Sequence, residues 1–325
     1  MPRILIVKTS SLGDVVHNLP VVTDIQRAFP PGHFTIDWVV EEAYADLPRQ
    51  HPGVSRVLPV ALRRWRNDWF GATVKRERAA FLELLQQEAY DVVLDTQGLI
   101  KSALIARSAR LAPGGVRIGA TWDTAREPLA SLLYHRRRPV DTALHAVERL
   151  RGLAAGALDY PVIGSPDFGL AASSRDFEWL PHPVYAVFLY ATARLEKSWP
   201  ASHWAVLGKR LAATNTVTVF PWGTAAEHEL ATQIAAQVPD AIVAPRLQLD
   251  ELSSLFAKAR IVIGVDTGLT HLAAALGSRV LALFSATPRW RFAPYWNPTA
   301  VSLGDEGEPP SLGQVAGTLQ GLGIL

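Results

Sequence analysis

The sequence contains no cysteine. Disulfide bonds, thiolate nucleophiles and cysteine-ligated metal centres are therefore excluded, and this absence fits a reducing compartment. Long apolar runs are missing as well, since no stretch approaches the ~20 residues that a membrane-spanning helix requires. The opening stretch, Met1 to Lys8, is too short and too soon charged for a secretory signal peptide. A cytoplasmic location is expected.

Charge of one sign is also scarce, because 32 Lys and Arg are balanced by 30 Asp and Glu. The net charge of +2 does not predict binding to nucleic acid. The nine histidines lack the spacing of metal ligands, so no built-in metal site is predicted. The basic residues crowd into three groups in the first half, which indicates an anionic partner there: Arg63, Arg64, Arg66, Lys75, Arg76, Arg78, Arg136, Arg137 and Arg138.

The first half of the chain alternates apolar strands with amphipathic helices. The apolar run 4–7 is followed by a short polar loop and by a periodic stretch, 15–29, that ends at Pro30-Pro31-Gly32. Further strands are predicted over 34–40 and 90–95, and a helix over 99–111. This alternation predicts a mostly parallel sheet with helices on both faces.

The second half repeats the pattern after a linker predicted over 164–183, where the periodicity fades into Gly, Ser, Asp and Pro. A length of 325 residues suits two domains, placed here at 1–170 and 180–325. We predict an α/β fold of two doubly wound, Rossmann-like domains that face each other across a cleft. The second-half strands are expected at 184–190, 216–220, 241–244, 261–265 and 280–284, and the helices at 201–213, 226–237, 249–259 and 269–276.

The first strand-to-helix loop, residues 8–14, lacks the glycine pattern of dinucleotide sites and the GK[ST] of P-loops. The loop therefore argues against a nicotinamide-dependent or ATPase function. Asp14 follows the carboxyl edge of the first strand, which makes it a candidate general base. Equally, Ser10 and Ser11 would shape a turn and Asp14 would stabilise the start of the helix.

A second polar motif, residues 264–271, follows a β-branched run and opens an Ala- and Leu-rich helix. Its free backbone N–H groups, with the helix dipole behind them, would hold a phosphate. In the alternative interpretation, Asp266 or Thr267 is only the N-cap and His271 is an ordinary helix residue.

Two charged residues follow other strands of the second half. Lys197 is a point charge able to reach a diphosphate, or a solvated loop lysine. Glu227 would accept hydrogen bonds from ribose hydroxyls, or it complements the dipole at a helix start.

The segment 63–70 mixes arginines with Trp65, Trp69 and Phe70. Arginine forks suit carboxylates and phosphates, and tryptophan suits a membrane interface. The alternative is a solvated charged stretch with a tryptophan packed beneath it, and both interpretations stand at this point.

Four segments together carry a family resemblance: 8–17 (KTSSLGDVVH), 95–103 (DTQGLIKSA), 221–223 (PWG) and 265–272 (VDTGLTHL). The sequence resembles the lipopolysaccharide heptosyltransferases nearly from end to end. It is similar to their type I, which adds the first heptose of the inner core, because type II has a different opening after its first strand.

This resemblance implies a GT-B fold and inversion at the anomeric carbon without a tightly bound metal. The implied donor is ADP-heptose, carrying L-glycero-D-manno-heptose, and the implied acceptor is a Kdo residue of Kdo2-lipid A. Whether Mg²⁺ stimulates the reaction stays open. The chain would act at the cytoplasmic face of the inner membrane as a peripheral protein, without nucleic acid.

Site roles carry over position by position from the resemblance. Asp14 becomes the general base, and Lys197 becomes the group that supports the leaving diphosphate. The donor contacts are Thr192, Lys197, Glu227, Leu247, Asp266, Thr267, Gly268, Leu269 and His271. The acceptor contacts are Ser10, Gly13, Arg63, Arg64, Arg66, Gln97 and Lys101. The family often has threonine at position 193 and methionine at 247, where this chain has alanine and leucine.

Two rival functions remain. A periplasmic solute-binding protein also has two α/β domains around a cleft, but it needs an export signal. A glycosyltransferase of the same fold that uses another nucleotide sugar, or heptosyltransferase of type II, is the second rival.

Overall fold

The computed structural model describes residues 1–171 and 175–325. The chain forms two compact units, Met1–Gly169 and Leu170–Leu325. The linker predicted over 164–183 includes residues 172–174, which lie outside the described residues.

The first unit is built on one parallel six-stranded sheet. Its strands are β1 (Arg3–Val7), β2 (Thr35–Glu41), β3 (Arg56–Val60), β4 (Tyr90–Asp95), β5 (Leu111–Ala120) and β6 (Arg136–Arg138). The order across the sheet is β3-β2-β1-β4-β5-β6. In this doubly wound order, β2 and β3 are added on one side of β1, and the strands from β4 onward are added on its other side. The prediction of a doubly wound first domain is confirmed.

Helices cover this sheet and bury its apolar strands. They are α1 (Leu12–Ala28), α2 (Asp46–Arg49), α3 (Leu62–Trp65), α4 (Ala72–Gln86), α5 (Ile100–Ser108) and α6 (Ala146–Leu158), with a 3₁₀ helix at Pro128–Leu133. Leu5 and Val7 of β1 and Val93 of β4 belong to one buried cluster with Phe81 of α4 and Ile105 of α5. Strands buried on both faces carry continuous apolar runs, which is why β1 was readable from the sequence.

The second unit repeats the arrangement. Its strands are β7 (Tyr185–Leu189), β8 (Val217–Phe220), β9 (Ile242–Val243), β10 (Ile261–Val265), β11 (Val280–Leu283) and β12 (Ala300–Leu303). All pairs are parallel, in the order β12-β11-β10-β7-β8-β9. Its helices are α7 (Ala201–Ala212), α8 (Ala225–Ala235), α9 (Leu249–Lys258), α10 (Gly268–Ala275), α11 (Arg289–Phe292) and α12 (Leu312–Gly321). The second doubly wound domain is likewise confirmed.

Two predicted boundaries were wrong for identifiable reasons. The helix predicted over 99–111 ends at Ser108, because Leu111 already pairs with Tyr90 as the first residue of β5. Helix α1 begins at Leu12 rather than at 15, because Ser11 and Asp14 form a capping box ahead of the apolar stretch. In the described part of the chain, no helix is both long and apolar enough to cross a membrane.

Candidate functional site

Asp14 lies in the first turn of α1, directly after the carboxyl end of β1. Its Oδ2 accepts hydrogen bonds from the Ser11 backbone N–H at 3.0 Å and from the Ser11 hydroxyl at 3.1 Å. A carboxylate at this position also complements the helix dipole. The interpretation of Asp14 as a residue that stabilises the helix start is therefore confirmed, and any catalytic role is additional to it.

Two cations that sequence reasoning did not select surround the Asp14 carboxylate. Lys8 Nζ lies 3.9 Å from Oδ1, and an Arg126 guanidinium nitrogen lies 3.5 Å from Oδ2. Burial by itself raises the pKa of Asp14, but Lys8, Arg126 and the Ser11 N–H outweigh it and lower the pKa to about 2. The group is a carboxylate at neutral pH. The signal for Lys8 was available, since it directly follows the apolar residues 4–7 of β1 and is buried with them.

Burial lowers the pKa of Lys8, and Asp14 opposes that effect. The ammonium also donates to the Thr96 carbonyl oxygen at 3.3 Å, in the loop after β4. Lys8 thus joins the loops that follow the two central strands.

Gln97 ties the same loops together. Its Oε1 accepts hydrogen bonds from the Thr9 N–H at 2.6 Å and the Thr9 hydroxyl at 2.8 Å. The Ser10 hydroxyl oxygen lies 3.4 Å from Gln97 Nε2 and 3.4 Å from Lys101 Nζ. The sequence-predicted residues Ser10, Gln97 and Lys101 therefore meet at the ends of β1 and β4, and Gly13 lies in the first turn of α1 beside Asp14.

Asp95 organises the loop that carries Gln97. Its Oδ1 accepts from the N–H groups of Gln97 at 2.8 Å and Gly98 at 3.1 Å, and its Oδ2 accepts from the Tyr134 hydroxyl at 2.7 Å. Gly98 adopts a φ of 68°, which glycine tolerates without strain. Burial raises the pKa of Asp95, although these hydrogen bonds oppose the rise. Asp95 positions the loop from beneath.

The three predicted acceptor arginines differ in their surroundings. Arg64 is bound to two carboxylates, with Nε 3.0 Å from Glu42 and Nη1 2.7 Å from Glu77. Arg63 lies over the Tyr44 ring with its guanidinium 5.2 Å from the centroid, and both Arg63 and Arg66 are exposed. Of the three arginines, only Arg63 and Arg66 form no ion pair with a carboxylate among the described residues.

The two tryptophans of segment 63–70 differ in burial, and each fits one of the two interpretations. Trp65 is buried and donates from Nε1 to Glu77 at 2.7 Å, as expected for a ring packed beneath a charged stretch. Trp69 is exposed, and the Arg78 guanidinium lies 3.9 Å from its ring centroid.

In the second unit, Asp266 lies directly after β10 and accepts hydrogen bonds from three side chains. Lys197 Nζ and the Thr287 hydroxyl each lie 2.6 Å from Oδ2, and His271 Nε2 lies 2.8 Å from Oδ1. Burial raises the pKa of Asp266, but the hydrogen bond and charge of His271 and the ammonium of Lys197 outweigh it and hold the pKa well below its usual range. Thr287 is a member that sequence reasoning missed.

Helix α10 begins at Gly268, with Thr267 as its N-cap residue in extended conformation. The alternative interpretation, which named Asp266 or Thr267 as the N-cap, is therefore confirmed for Thr267 and not for Asp266. The Asp266 oxygens are bound instead to Lys197, Thr287 and His271. The first backbone N–H groups of a helix have no intrahelical acceptor, and the helix dipole makes this end attractive to anions. The N-terminus of α10 and the Lys197 ammonium therefore meet at Asp266.

Lys197 ends a short 3₁₀ helix, Leu195–Lys197, that follows β7. Its side chain is 16% exposed, so the interpretation as a solvated loop lysine was wrong. Thr192 lies in the same loop, where its hydroxyl oxygen accepts from the Arg194 N–H at 3.3 Å.

Glu227 closes a capping box at the start of α8. Its Oε2 accepts from the N–H groups of Gly223 at 2.7 Å and Thr224 at 3.1 Å. Its other oxygen, Oε1, accepts no hydrogen bond from the residues that the structure describes. Leu247 is half-buried and precedes Gln248, the N-cap residue of α9. Among residues 1–171 and 175–325, no group of His, Cys, Asp and Glu is arranged to hold a metal ion.

We expect Asp266→Asn to lower the free energy of unfolding at pH 7 by about 3 kcal/mol. The substitution removes the negative charge of a buried charge pair and leaves its partners without it. The folded pKa of Asp266 lies below its unfolded value of about 4. The carboxylate therefore stabilises the fold above that value, and this contribution is lost as the pH falls through the folded pKa.

The difference between wild type and Asp266→Asn should accordingly be full near pH 7 and shrink below about pH 4. Urea unfolding across this range measures it, with the exposed carboxylate variant Glu229→Gln as the control. A difference that stays constant with pH would show that the charge of Asp266 does not stabilise this unit.

Three comparisons place these geometries among known proteins. The family model described as glycosyltransferase family 9 (heptosyltransferase) matches residues 78–317. The chain is 46% identical to lipopolysaccharide heptosyltransferase 1 of Escherichia coli K12 over 287 residues, or 88% of each chain. It is 46% identical to the protein of the same name from Pseudomonas aeruginosa over 290 residues, covering 88% of this chain and 79% of that one.

Solved structures agree with the sequence comparison. The E. coli heptosyltransferase WaaC with ADP superposes with a TM-score of 0.85 at 40% identity, covering 98% of both chains. The E. coli ADP-heptose heptosyltransferase II superposes with a TM-score of 0.78 at 24% identity, again over 98% of both chains. The resemblance and the GT-B fold class inferred from the sequence are confirmed.

Proposed function

Because the chain belongs to glycosyltransferase family 9, the heptosyltransferases, we propose that it transfers L-glycero-D-manno-heptose from ADP-heptose to a Kdo residue of Kdo2-lipid A. The observation that carries this proposal is the likeness to the type 1 enzymes over most of the chain, well above the likeness to type 2. The product would be the inner core of lipopolysaccharide with its first heptose.

The donor is proposed to bind to the second unit. Its diphosphate would meet the N-terminus of α10 and the Lys197 ammonium, which together offer a helix dipole and a full positive charge. Thr192 would contribute a hydroxyl, and Glu227 would accept from the ribose through Oε1 while Oε2 holds the capping box. Leu247 would form part of the apolar wall beside adenine.

Transfer is proposed to proceed by a single displacement. The acceptor hydroxyl gives its proton to Asp14 while its oxygen bonds to the anomeric carbon, and the bond from that carbon to the diphosphate oxygen breaks. The anomeric configuration inverts. Negative charge gathers on the leaving ADP, where Lys197 and the N–H groups at Gly268 and Leu269 stabilise it.

The acceptor is proposed to bind to the first unit, at the loops after β1 and β4. Ser10, Gly13, Gln97 and Lys101 would contact the Kdo residues, and Arg63 and Arg66 would attract the anionic groups of the acceptor. Since Kdo2-lipid A is a membrane lipid, the enzyme would work as a peripheral protein on the cytoplasmic face of the inner membrane.

Incubation with ADP-heptose and Kdo2-lipid A, followed by mass spectrometry of the lipid, tests the proposal. We expect the mass of the lipid to rise by one heptose. Failure on Kdo2-lipid A, together with transfer to an acceptor that already carries heptose, would instead assign the type II reaction. Parallel reactions with Mg²⁺ and with EDTA measure whether the ion stimulates transfer.

We expect ADP to raise the melting temperature more than UDP does, because Glu227 and an apolar wall that includes Leu247 suit adenosine. A ligand that binds only the native state stabilises it by mass action. Differential scanning fluorimetry at matched nucleotide concentrations measures both shifts. Equal shifts would overturn the adenine assignment while leaving the diphosphate contacts in place.

We expect Arg63→Ala combined with Arg66→Ala to raise the KM for the acceptor and to leave donor affinity unchanged. Arg64→Ala is the matched control, because its guanidinium is already held by Glu42 and Glu77. Steady-state kinetics with each substrate varied in turn separates the two effects. An unchanged acceptor KM in the double variant would show that Arg63 and Arg66 do not bind the acceptor and are only solvated surface residues.

A further inference from the structure

The outward face of α5 is apolar where a helix of a water-soluble protein is normally polar. Ile100 and Leu104, one helical turn apart, are 37% and 52% exposed. The opposite face is buried through Ser102, Ala103 and Ile105. The exposed pair is thus held outward by a helix whose other side is anchored in the first unit.

The 3₁₀ helix Pro128–Leu133 presents a second apolar pair. Leu129 and Leu132 are 54% and 61% exposed, and residues three apart lie above one another in a 3₁₀ helix. This helix packs against α5, and Ala103, Ala130 and Tyr134 share one buried cluster between them. The two exposed pairs therefore belong to one surface. We call it the apolar ridge, formed by Ile100, Leu104, Leu129 and Leu132.

Positively charged side chains border the apolar ridge. Lys101 and Arg107 lie on the exposed side of α5, and Arg137 of β6 is exposed on the side of the sheet that carries the 3₁₀ helix. Arg137 donates from Nε to the Ser131 carbonyl oxygen at 2.7 Å, which holds its guanidinium against the 3₁₀ helix.

Acidic groups on this border are few. Glu127 is engaged, since its carboxylate accepts from the Ile100 N–H at 2.6 Å, and Asp123 is exposed in the preceding turn. The border is therefore net cationic. This arrangement assigns Arg137, in the basic run 136–138, a role outside the catalytic scheme.

We propose that the apolar ridge inserts into the headgroup region of an anionic lipid bilayer, with Arg107 and Arg137 pairing with lipid phosphates. Exposed apolar side chains framed by basic residues are the composition of interfacial membrane-binding surfaces. The proposal rests on the function proposed above, because that acceptor is itself a bilayer lipid. It assigns the membrane contact to specific residues.

Charge argues against a second copy of the chain as the occupant. In a symmetric dimer the same surface faces itself, which would bring the cations of one ridge against those of the other. Anionic lipid meets the same groups with opposite charge, so a bilayer is the favoured partner.

Co-sedimentation with vesicles tests the proposal. Wild type should bind vesicles of phosphatidylglycerol and phosphatidylcholine, and bind pure phosphatidylcholine much more weakly. The variant Leu129→Gln/Leu132→Gln should lose about tenfold or more in affinity for the anionic vesicles, since it removes two apolar side chains from the inserted surface. Arg107→Gln/Arg137→Gln should weaken binding and reduce its dependence on salt.

Two control variants carry the same chemical change elsewhere in the first unit. Ile163→Gln replaces a side chain that is 73% exposed and should bind like wild type. Phe70→Gln replaces one that is 81% exposed in the segment with Trp69, and it too should bind like wild type. Melting temperatures with ADP confirm that each variant is folded.

Unchanged vesicle binding by the leucine variant would overturn the proposal, and loss of binding only in Phe70→Gln would move the contact to residues 69–78. The proposal would also be wrong if wild type formed a dimer without vesicles and the leucine variant lost that dimer but still bound vesicles. A second copy of the chain would then be the partner of the apolar ridge. The leucine variant should still transfer heptose to a water-soluble, deacylated Kdo acceptor. Wild type that transfers to neither acceptor would instead overturn the proposed function.

Discussion

Asp14→Asn is expected to lower kcat by about 10²–10⁴-fold, the usual contribution of a general base. The amide keeps the shape of the carboxylate but cannot take a proton from the acceptor hydroxyl. The affinity for ADP should stay near that of wild type, because the donor contacts lie on other strands. Steady-state turnover and ADP titration on the same preparation measure the two effects.

A purely structural role for Asp14 predicts a different pattern. Asp14 accepts a hydrogen bond from the N–H of the N-cap residue Ser11, which the amide oxygen of Asn can keep and Ala loses at a cost of roughly 0.5–1.5 kcal/mol. If Asp14 had only a structural role, both variants would lower the melting temperature, because both remove the charge paired with Lys8 and Arg126, and both would keep kcat. Near-native kcat in Asp14→Asn would therefore remove Asp14 from the chemistry.

The pH profile adds a separate check on Asp14. Its pKa of about 2 leaves the carboxylate charged throughout the neutral range, so no loss of turnover from its protonation is expected between pH 5 and 8. The same low pKa makes it a weak base in the protein alone, because Lys8 and Arg126 hold its charge. Loss of water on acceptor binding would raise the pKa again and strengthen the base.

Lys197→Ala is expected to lower kcat by about 10²–10³-fold, comparable with removing one preorganised donor from a developing anion. The ammonium is a full positive charge bound to Asp266, next to the start of α10. The donor affinity should fall as well, since the ground-state diphosphate is already anionic. Turnover and ADP titration measure the two losses separately.

The control for Lys197→Ala is Lys209→Ala, an exposed lysine on α7 in the same unit. Asp266 keeps its hydrogen bonds from His271 and Thr287 in the Lys197 variant, so the fold should survive. Turnover equal to that of the Lys209 variant would contradict the role of Lys197 in supporting the leaving group.

The sequence revealed those parts of the fold whose signal is local. Strand β10 was predicted with its observed bounds, 261–265, because it is an unbroken apolar run closed by an aspartate. Strand β6 was missed, because Arg136–Arg138 has no apolar pattern and pairs with β5 only through its backbone. Short edge strands of this kind are defined by their neighbour rather than by their own side chains.

The candidate site divides in the same way. The sequence showed which residue types follow each strand, but it did not show which other side chains they contact. Lys197 and Asp266 are 69 positions apart in the sequence and meet only because β7 and β10 are neighbours in the sheet. Arg126 and Thr287 were missed for the same reason, since each meets its carboxylate from another element of the fold. Lys8 was missed although its signal is local.

Asp266 serves as a surrogate anion for the Lys197 ammonium. A flexible four-carbon side chain loses substantial rotamer entropy when it is fixed, and a lysine that waited in solvent would lose it on meeting the donor. Here the carboxylate, itself fixed by His271 and Thr287, has already ordered that side chain during folding. In the proposed donor complex the ammonium would pass from one anionic oxygen to another within a short reach, so donor binding would be spared most of the ordering cost.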